Sequence, residues 1–570
     1  MSSTAVARPK TTILVPVSAR LPLFGGELLR WAGWALVIWI VLFWRLGYPS
    51  FWDPDEAHYA ETSREMLAAH NWLVPMYDGR PFFDKPVLFH WLQMASFWLL
   101  GVSEFAARLV PAVAALALLG STAWLGVELF TTDVGELAAL MLAVLPATFA
   151  LSAYAIMDML FTAFIFGAAA LLAVAAVNNK PRLQYPAYGL VALAVLTKGP
   201  VALALLGLGF VLSLVFAPAA RAQLLSLKWR EGALAVVVCS LPWFLWMWSR
   251  FDGQFIEGYV LRENVWLFAK SLYTHQYSPL VYLRVLLAGL LPWTPVLFGR
   301  LVDAFRGRSF TTQERLLWAW AIAVAGFFMA SRYRLDHYLY PAAPALCLLA
   351  AAAWQGARVR SPQTKSIGVW AGAVGAMATI SVAGVVFGVW FERVPVDLPA
   401  GARLAAVGLA AGGLLSLVQA FSQRFTLPRI PIFVLAALLL LYSSTIVDGF
   451  PAFERAKPVR ELASWVAAHS SPSDRVASFR LSRWSSSWRF YIDRPSPELE
   501  TPEQVRQFFD APGNAYCLML EQDYWQLREA GLPVQVIHQR DGLFTTTGRA
   551  LRRAEGRRSG WRWFVIVTKT

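Results

Sequence analysis

Residues 51–91 read FWDPDEAHYAETSREMLAAHNWLVPMYDGRPFFDKPVLFHW. This is the only long polar segment in the first 130 residues, and it is flanked on both sides by strongly apolar sequence. Acids, a lysine, histidines and tyrosines crowd into it. A segment of that kind between apolar runs reads as the ceiling of a reaction site seated on a membrane bundle.

The surrounding sequence supports the bundle. The chain has 570 residues, 57% of them hydrophobic and only 15% charged. Apolar runs close to the ~20 residues needed to cross a bilayer recur as far as residue 448. Thirteen spans are expected, beginning at about 28–47 and including 134–151, 279–299, 337–354 and 430–448. The pair 184–197 and 199–217 is short and is separated by Lys198-Gly199-Pro200. Residues 86–101 are apolar but short and carry His90 and Gln93, so an interfacial helix is expected there. The 26 tryptophans suit aromatic belts at the two membrane surfaces.

The net charge of +14 does not point to nucleic acid, because no basic run is interleaved with stacking aromatics. The excess lies in loops. With the N-terminus in the cytoplasm, one set of loops collects Arg221, Lys228, Arg306, Arg308, Arg358 and Lys365, as the positive-inside rule requires. The opposite face gathers Asp158, Lys198, Arg262, His275, Arg332, Arg334 and His337. Cys239 and Cys347 fall in apolar spans and Cys517 stands alone, which excludes a disulfide framework or a cysteine metal site. No nucleotide or redox cofactor is expected. The division of the chain is a membrane domain over 1–450, with a first outside loop at 48–103, and a small soluble α/β domain over 451–570. In the latter, a helix near 457–469 and strands such as AYCLMLE and WFVIVTK are expected.

Two helix starts carry the chemistry of the opening stretch. Asp53-Pro54-Asp55-Glu56 fits an N-cap, a proline at the first helical position and a capping-box glutamate. That reading accounts for Asp53 and Glu56 and leaves Asp55 over, on one helix face with Tyr59. In Phe82-Phe83-Asp84-Lys85-Pro86, the proline suits a second helix start and sets Lys85 just before it. A lysine beside exposed amides is a phosphate site, although snorkelling to lipid headgroups would also use it. Asp84 can pair with Lys85 or ligate a metal. Asp158 opens an apolar span, as a functional acid or as a helix cap. Lys198 interrupts an apolar run. Arg332 and Arg334 lie against the charge bias, which favours anion binding. His275 is alone on its loop, where a structural role is the ordinary one. Acids and at least four cations on one face suit a phosphate-linked substrate.

These motifs resemble a known family. WDPDEAHYAETSREMLAAHNWLVP with FFDKPVLFHWL is similar to the first outside loop of ArnT-type lipid A aminoarabinose transferases and their GT-C relatives, which include protein O-mannosyltransferases. The similarity continues through GVSEFAARL, LTKGP around Lys198 and SRYRLDHYLYPAAPAL. It implies a polytopic α-helical GT-C protein of the bacterial inner membrane. It also implies transfer of a sugar, with inversion, from an undecaprenyl-phosphate carrier to a periplasmic-face acceptor such as a lipid A phosphate. Asp55 then takes the position of the family's essential acid and Lys85 that of its phosphate-contacting lysine. Tyr59, Asp158 and Lys198 then take cavity-lining positions, and the late loop with Tyr338 helps to shape the substrate site. Asp84 and His275 take the positions implicated in binding a divalent metal (Zn, Mg or Mn), although the family's Glu-Lys-Pro is Asp84-Lys85-Pro86 here. The family's Leu-Pro before the late-loop tyrosine is Asp336-His337, so another sugar or a hydroxyl acceptor is the alternative. A lipid-sugar flippase would instead place its polar residues at mid-span in two matching halves.

Overall fold

The computed structural model describes residues 26–270, 278, 280–359, 366–390, 396–422, 426–481, 485–544 and 560–570. Its helices fall on the apolar runs. Glu104–Leu129, Asp158–Val177, Ile367–Trp390 and Ala400–Ser422 are each long and apolar enough to cross a membrane. So are Trp229–Ala269 and Ile432–Arg455. Among the described residues these are six, or eight if each of two bent pairs counts as one span.

Length and composition therefore do not yield the thirteen spans read from the sequence. Proline is one reason, since it removes a backbone donor and clashes with the preceding turn. The run 134–151 is divided into Thr132–Ala143 and Pro146–Leu151. The run 279–299 is not one straight helix: Leu280–Gly289 and Thr294–Phe305 meet at 105° around Pro292. The bundle itself is held by small residues. A Cβ on Gly299 would come within 2.1 Å of the Gly368 carbonyl, so Thr294–Phe305 and Ile367–Trp390 touch backbone to backbone.

The polar stretch forms helix Asp55–Ala68, a two-strand hairpin (β1, Met76–Tyr77; β2, Arg80–Pro81) and helix Leu88–Leu100. The last has 13 residues, about 20 Å of helix, too short to cross. His90 and Gln93 do not face water as an interfacial helix would suggest. Both are fully buried against Ser63 of the preceding helix, whose Oγ donates to Gln93 Oε1 at 2.7 Å and lies 2.8 Å from His90 Nδ1.

Past residue 450 the chain builds a mixed sheet of β3 (Arg475–Phe479), β4 (Glu498–Leu499), β5 (Ala515–Leu520), β6 (Val534–Leu543) and β7 (Trp561–Lys569). The order is β4-β3-β5-β7-β6; β3 pairs parallel with β4 and β5, and β7 antiparallel with β5 and β6. Alternate residues of the central strands feed two cores. Cys517, Met519, Val565 and Val567 pack with Val505 and Leu527 of helices Pro502–Asp510 and Glu521–Glu529. Leu518, Leu520, Phe564 and Ile566 pack with Leu462, Val466 and Trp488 of helices Val459–His469 and Ser485–Ile492. Helix Ser485–Ile492 also reaches the first loop: Phe490 joins a buried cluster with Phe51, Ala57 and Ala60.

Candidate active site

Asp55 is the first residue of helix Asp55–Ala68, and the expected capping box does not form. Pro54 holds the N-cap position with no side-chain cap. Asp53 turns to the soluble domain instead, where its Oδ1 accepts the Ser487 N–H at 3.0 Å. Glu56 turns inward, fully buried, and accepts four N–H groups. Arg108 Nε (2.6 Å) and Nη2 (2.8 Å) supply two, and the Trp52 and Ala155 amides (2.9 Å each) the others. A buried arginine needs a buried carboxylate, and that tertiary demand outweighs a local cap. Arg108 also donates to the Leu46, Pro49 and Ser50 carbonyls, so one ion pair fixes the chain on both sides of Asp55.

Asp55 is exposed at the helix start. Tyr59 lies one turn on, with its phenol pushed well above the usual range by burial and by the charges of Asp84 and Asp55. The charge of Asp55 is also felt by Tyr154.

Helix Leu88–Leu100 begins three residues after Lys85, with Val87 as N-cap, so Lys85 is not at the helix N-terminus. Its Nζ reaches 2.9 Å to Glu263 Oε2 and 2.9 Å to the Asp84 carbonyl. Burial opposes the ammonium, but Glu263 and Asp84 outweigh it and raise the Lys85 pKa. Burial pushes the Asp84 carboxyl up to about 6 against the pull of Lys85. Glu263 comes from the π-helical segment Ile256–Trp266 that extends the long helix from Trp229.

Asp158 opens helix Asp158–Val177 and Lys198 closes helix Gln184–Lys198, where Gly199 takes φ +79° to turn the chain. The two side chains meet at 2.5 Å. His337 Nε2 lies 3.8 Å from the other Asp158 oxygen, and Lys198 Nζ sits 4.3 Å over the Tyr338 ring. Asp158 is thus no mere helix cap: Met157 holds the N-cap position with no side-chain cap. Lys85 is close enough to Asp158 and Lys198 for the charges to interact, which joins the two lysine–acid pairs into one cluster.

The remaining expected residues are placed differently. Arg332 is exposed on the loop after helix Thr312–Ala330, where its amide donates to the Phe268 carbonyl at 2.8 Å. Arg334 is buried, with Nη2 on the Met329 carbonyl at 3.3 Å. It is His337 and Tyr338 of that loop that reach the Asp158–Lys198 pair. His275 lies outside the described residues. Among the described residues no three potential ligands converge on a metal, and Asp84 faces Lys85 and Glu263, a cation and an acid that already answer each other.

Glu263 and Arg108 are the members that sequence reading does not select; His337 it places on the same membrane face, without its contact to Asp158. Glu263 stands in RENV with no local pattern to mark it. Arg108 was visible in GVSEFAARL as a charge inside an apolar run.

The architecture is the GT-C fold. It superimposes on ArnT from Cupriavidus metallidurans, solved bound to undecaprenyl phosphate, with a TM-score of 0.74 at 21% identity, over 95% of this chain and 98% of that one. A family model described as dolichyl-phosphate-mannose-protein mannosyltransferase matches residues 84–246. Within that class, the chain is similar in sequence to ArnT-type transferases. It is 30% identical over 335 residues to an undecaprenyl phosphate-alpha-4-amino-4-deoxy-L-arabinose arabinosyl transferase of Edwardsiella ictaluri, covering 56% of this chain and 59% of the relative. It is 31% identical over 349 residues to the protein of the same name in Erwinia tasmaniensis, covering 58% and 61%. The chain thus spans about three-fifths of the length of the curated relatives it matches.

Proposed function

We propose that this chain is an inner-membrane glycosyltransferase that moves a sugar from an undecaprenyl-phosphate carrier to an acceptor at the periplasmic face. The observation that carries the reading is the junction of Lys85–Glu263 and Lys198–Asp158 beside an exposed Asp55. Two half-buried ammonium groups, each held by an acid, form a cradle for a phosphodiester. On donor binding the phosphate takes over part of that pairing. As the anomeric C–O bond breaks, the departing polyprenyl phosphate gains charge, and two fixed cations stabilise it without reorganisation. The acceptor oxygen forms the new bond from the opposite side, which inverts the carbon.

A phosphate acceptor attacks without losing a proton, and Asp55 then steadies positive charge on the sugar. A hydroxyl acceptor gives its proton to Asp55 as general base. The donor sugar in this reading is 4-amino-4-deoxy-L-arabinose and the acceptor a lipid A phosphate. His337 beside Asp158, where the family has proline, favours some change in the acceptor or sugar pocket. The N-terminus is placed in the cytoplasm and residues 451–570 in the periplasm.

Titration of the purified protein with undecaprenyl phosphate tests the cradle. Lys85→Ala and Lys198→Ala should each weaken binding about tenfold or more, the loss of a charge-assisted contact. Wild-type affinity in both variants would remove the basis of the reading.

A further inference from the structure

A separate cavity of about 780 Å³ lies between the end of the first apolar segment and the turn before Asp158. Its wall is largely apolar and aromatic, with Tyr48, Trp52, Phe149 and Tyr154 on it and Arg45 set among them. Arg45 is 5% exposed. Its guanidinium stacks 3.7 Å over Phe149, and Nη2 donates to Ser152 Oγ at 3.3 Å. Its Nε has no hydrogen-bond partner. Among the described residues no carboxylate pairs with it, for Glu56, whose charge it feels, is committed to Arg108. The one acid on the wall, Asp336, is exposed. A buried, unpaired arginine is costly unless an anion completes it.

The cavity leads to the reacting cluster. His337 on its wall stands 3.8 Å from Asp158, and Tyr154 feels the charge of Asp55. Its cation is distinct from the Lys85 and Lys198 pair assigned to the donor. We propose that this cavity is the acceptor site, and that Arg45 binds a phosphate monoester of an amphipathic acceptor whose apolar part lies against Trp52 and Phe149. This rests on the transferase reading above. It assigns that reading's acceptor to a place and a chemical class: a phosphorylated lipid rather than a peptide hydroxyl.

The test measures binding without turnover. Full-length protein in detergent is titrated with lipid A bearing its two phosphates, with the same lipid after phosphatase treatment, and with undecaprenyl phosphate. Wild type should prefer the phosphorylated lipid by about tenfold or more, the range of one charged hydrogen-bonded contact. Arg45→Gln should lose the preference and Arg45→Lys regain part of it. Ala150→Trp, which fills the cavity beside an unaltered Arg45, should weaken both lipids. Undecaprenyl phosphate should bind these variants as it binds wild type. If Arg45→Gln does not fold, Ala150→Trp decides. Competition by inorganic phosphate would mean that the headgroup alone is recognised; no competition, with the preference intact, would mean that the lipid body is required.

Wild-type preference in Arg45→Gln together with wild-type affinity in Ala150→Trp would overturn the proposal. So would loss of undecaprenyl-phosphate binding in both, which would give the cavity to the donor. Arg45-dependent binding with no sugar transfer would defeat the transferase reading and leave the site standing. Transfer with an unaltered acceptor KM in both variants would do the reverse.

Discussion

Glu56→Gln should unfasten the segment that presents Asp55. The carboxylate takes four N–H donors on two oxygens, two of them from Arg108. Glutamine keeps one acceptor oxygen and turns an NH2 toward two of those donors. Arg108 then retains only carbonyl partners, at Leu46, Pro49 and Ser50, which cannot neutralise it. Removing one member of a buried ion pair costs about 3–5 kcal/mol. Counted the other way, two orphaned donors at ~1–3 kcal/mol each give a similar total. Three kcal/mol is a shift of more than about a hundredfold in the folding equilibrium.

The assay is thermal inactivation in one fixed detergent, read as the monodisperse fraction remaining, for wild type, Glu56→Gln, Arg108→Met and the double variant. Both single variants should be markedly less stable. The double should recover much of the loss, because it removes both charges together. Glu56→Gln as stable as wild type, or a double no better than either single, would refute the view that this pair anchors the loop.

Three further outcomes follow from the same geometry. Burial pushes the Asp53 carboxyl up to about 7, against its hydrogen bond from Ser487. A raised folded pKa means that its stabilising contribution is complete below the unfolded value near 4 and is lost as pH rises through about 7. Thermal stability of wild type relative to Asp53→Asn should therefore fall between about pH 4 and pH 7 and level off above; a constant difference would contradict it. Tyr491 Oη accepts the Phe51 N–H at 2.7 Å and donates to Glu104 at 3.0 Å, so Tyr491→Phe should lower kcat several-fold by loosening the Asp55 loop from the soluble domain, with donor affinity unchanged. Full activity in that variant would deny the domain a positioning role. His337→Pro, which puts beside Tyr338 the residue of the ArnT-type pattern that this loop resembles, should change acceptor or sugar preference in a transfer assay without reducing undecaprenyl-phosphate binding; unchanged preference would contradict it.

The apolar runs showed where helices lie, because hydrophobic length is a local property, but not where prolines divide them. The number of crossings was less legible, since a run such as 279–299 looks continuous until its two halves are seen at 105°. The strands of the soluble domain were legible for a similar reason: CLML and FVIV are apolar on both faces because helices cover both. The site was half readable. Asp55, Lys85, Asp158 and Lys198 stood out as charges in apolar surroundings. Their partners did not. Glu263 pairs with Lys85 across 178 positions and Glu56 with Arg108 across 52, distances at which no spacing rule operates. The capping box failed for that reason: Asp53 and Glu56 satisfy a local pattern, yet each has a stronger tertiary partner.

The central claim is tested most directly by reconstituting wild type and Asp55→Asn in vesicles with radiolabelled undecaprenyl-phosphate sugar and lipid A. Wild type should consume the donor and label the acceptor, while Asp55→Asn binds the donor with wild-type affinity and transfers nothing measurable. Normal transfer by Asp55→Asn, or donor that wild type moves across the membrane without consuming it, would contradict the account.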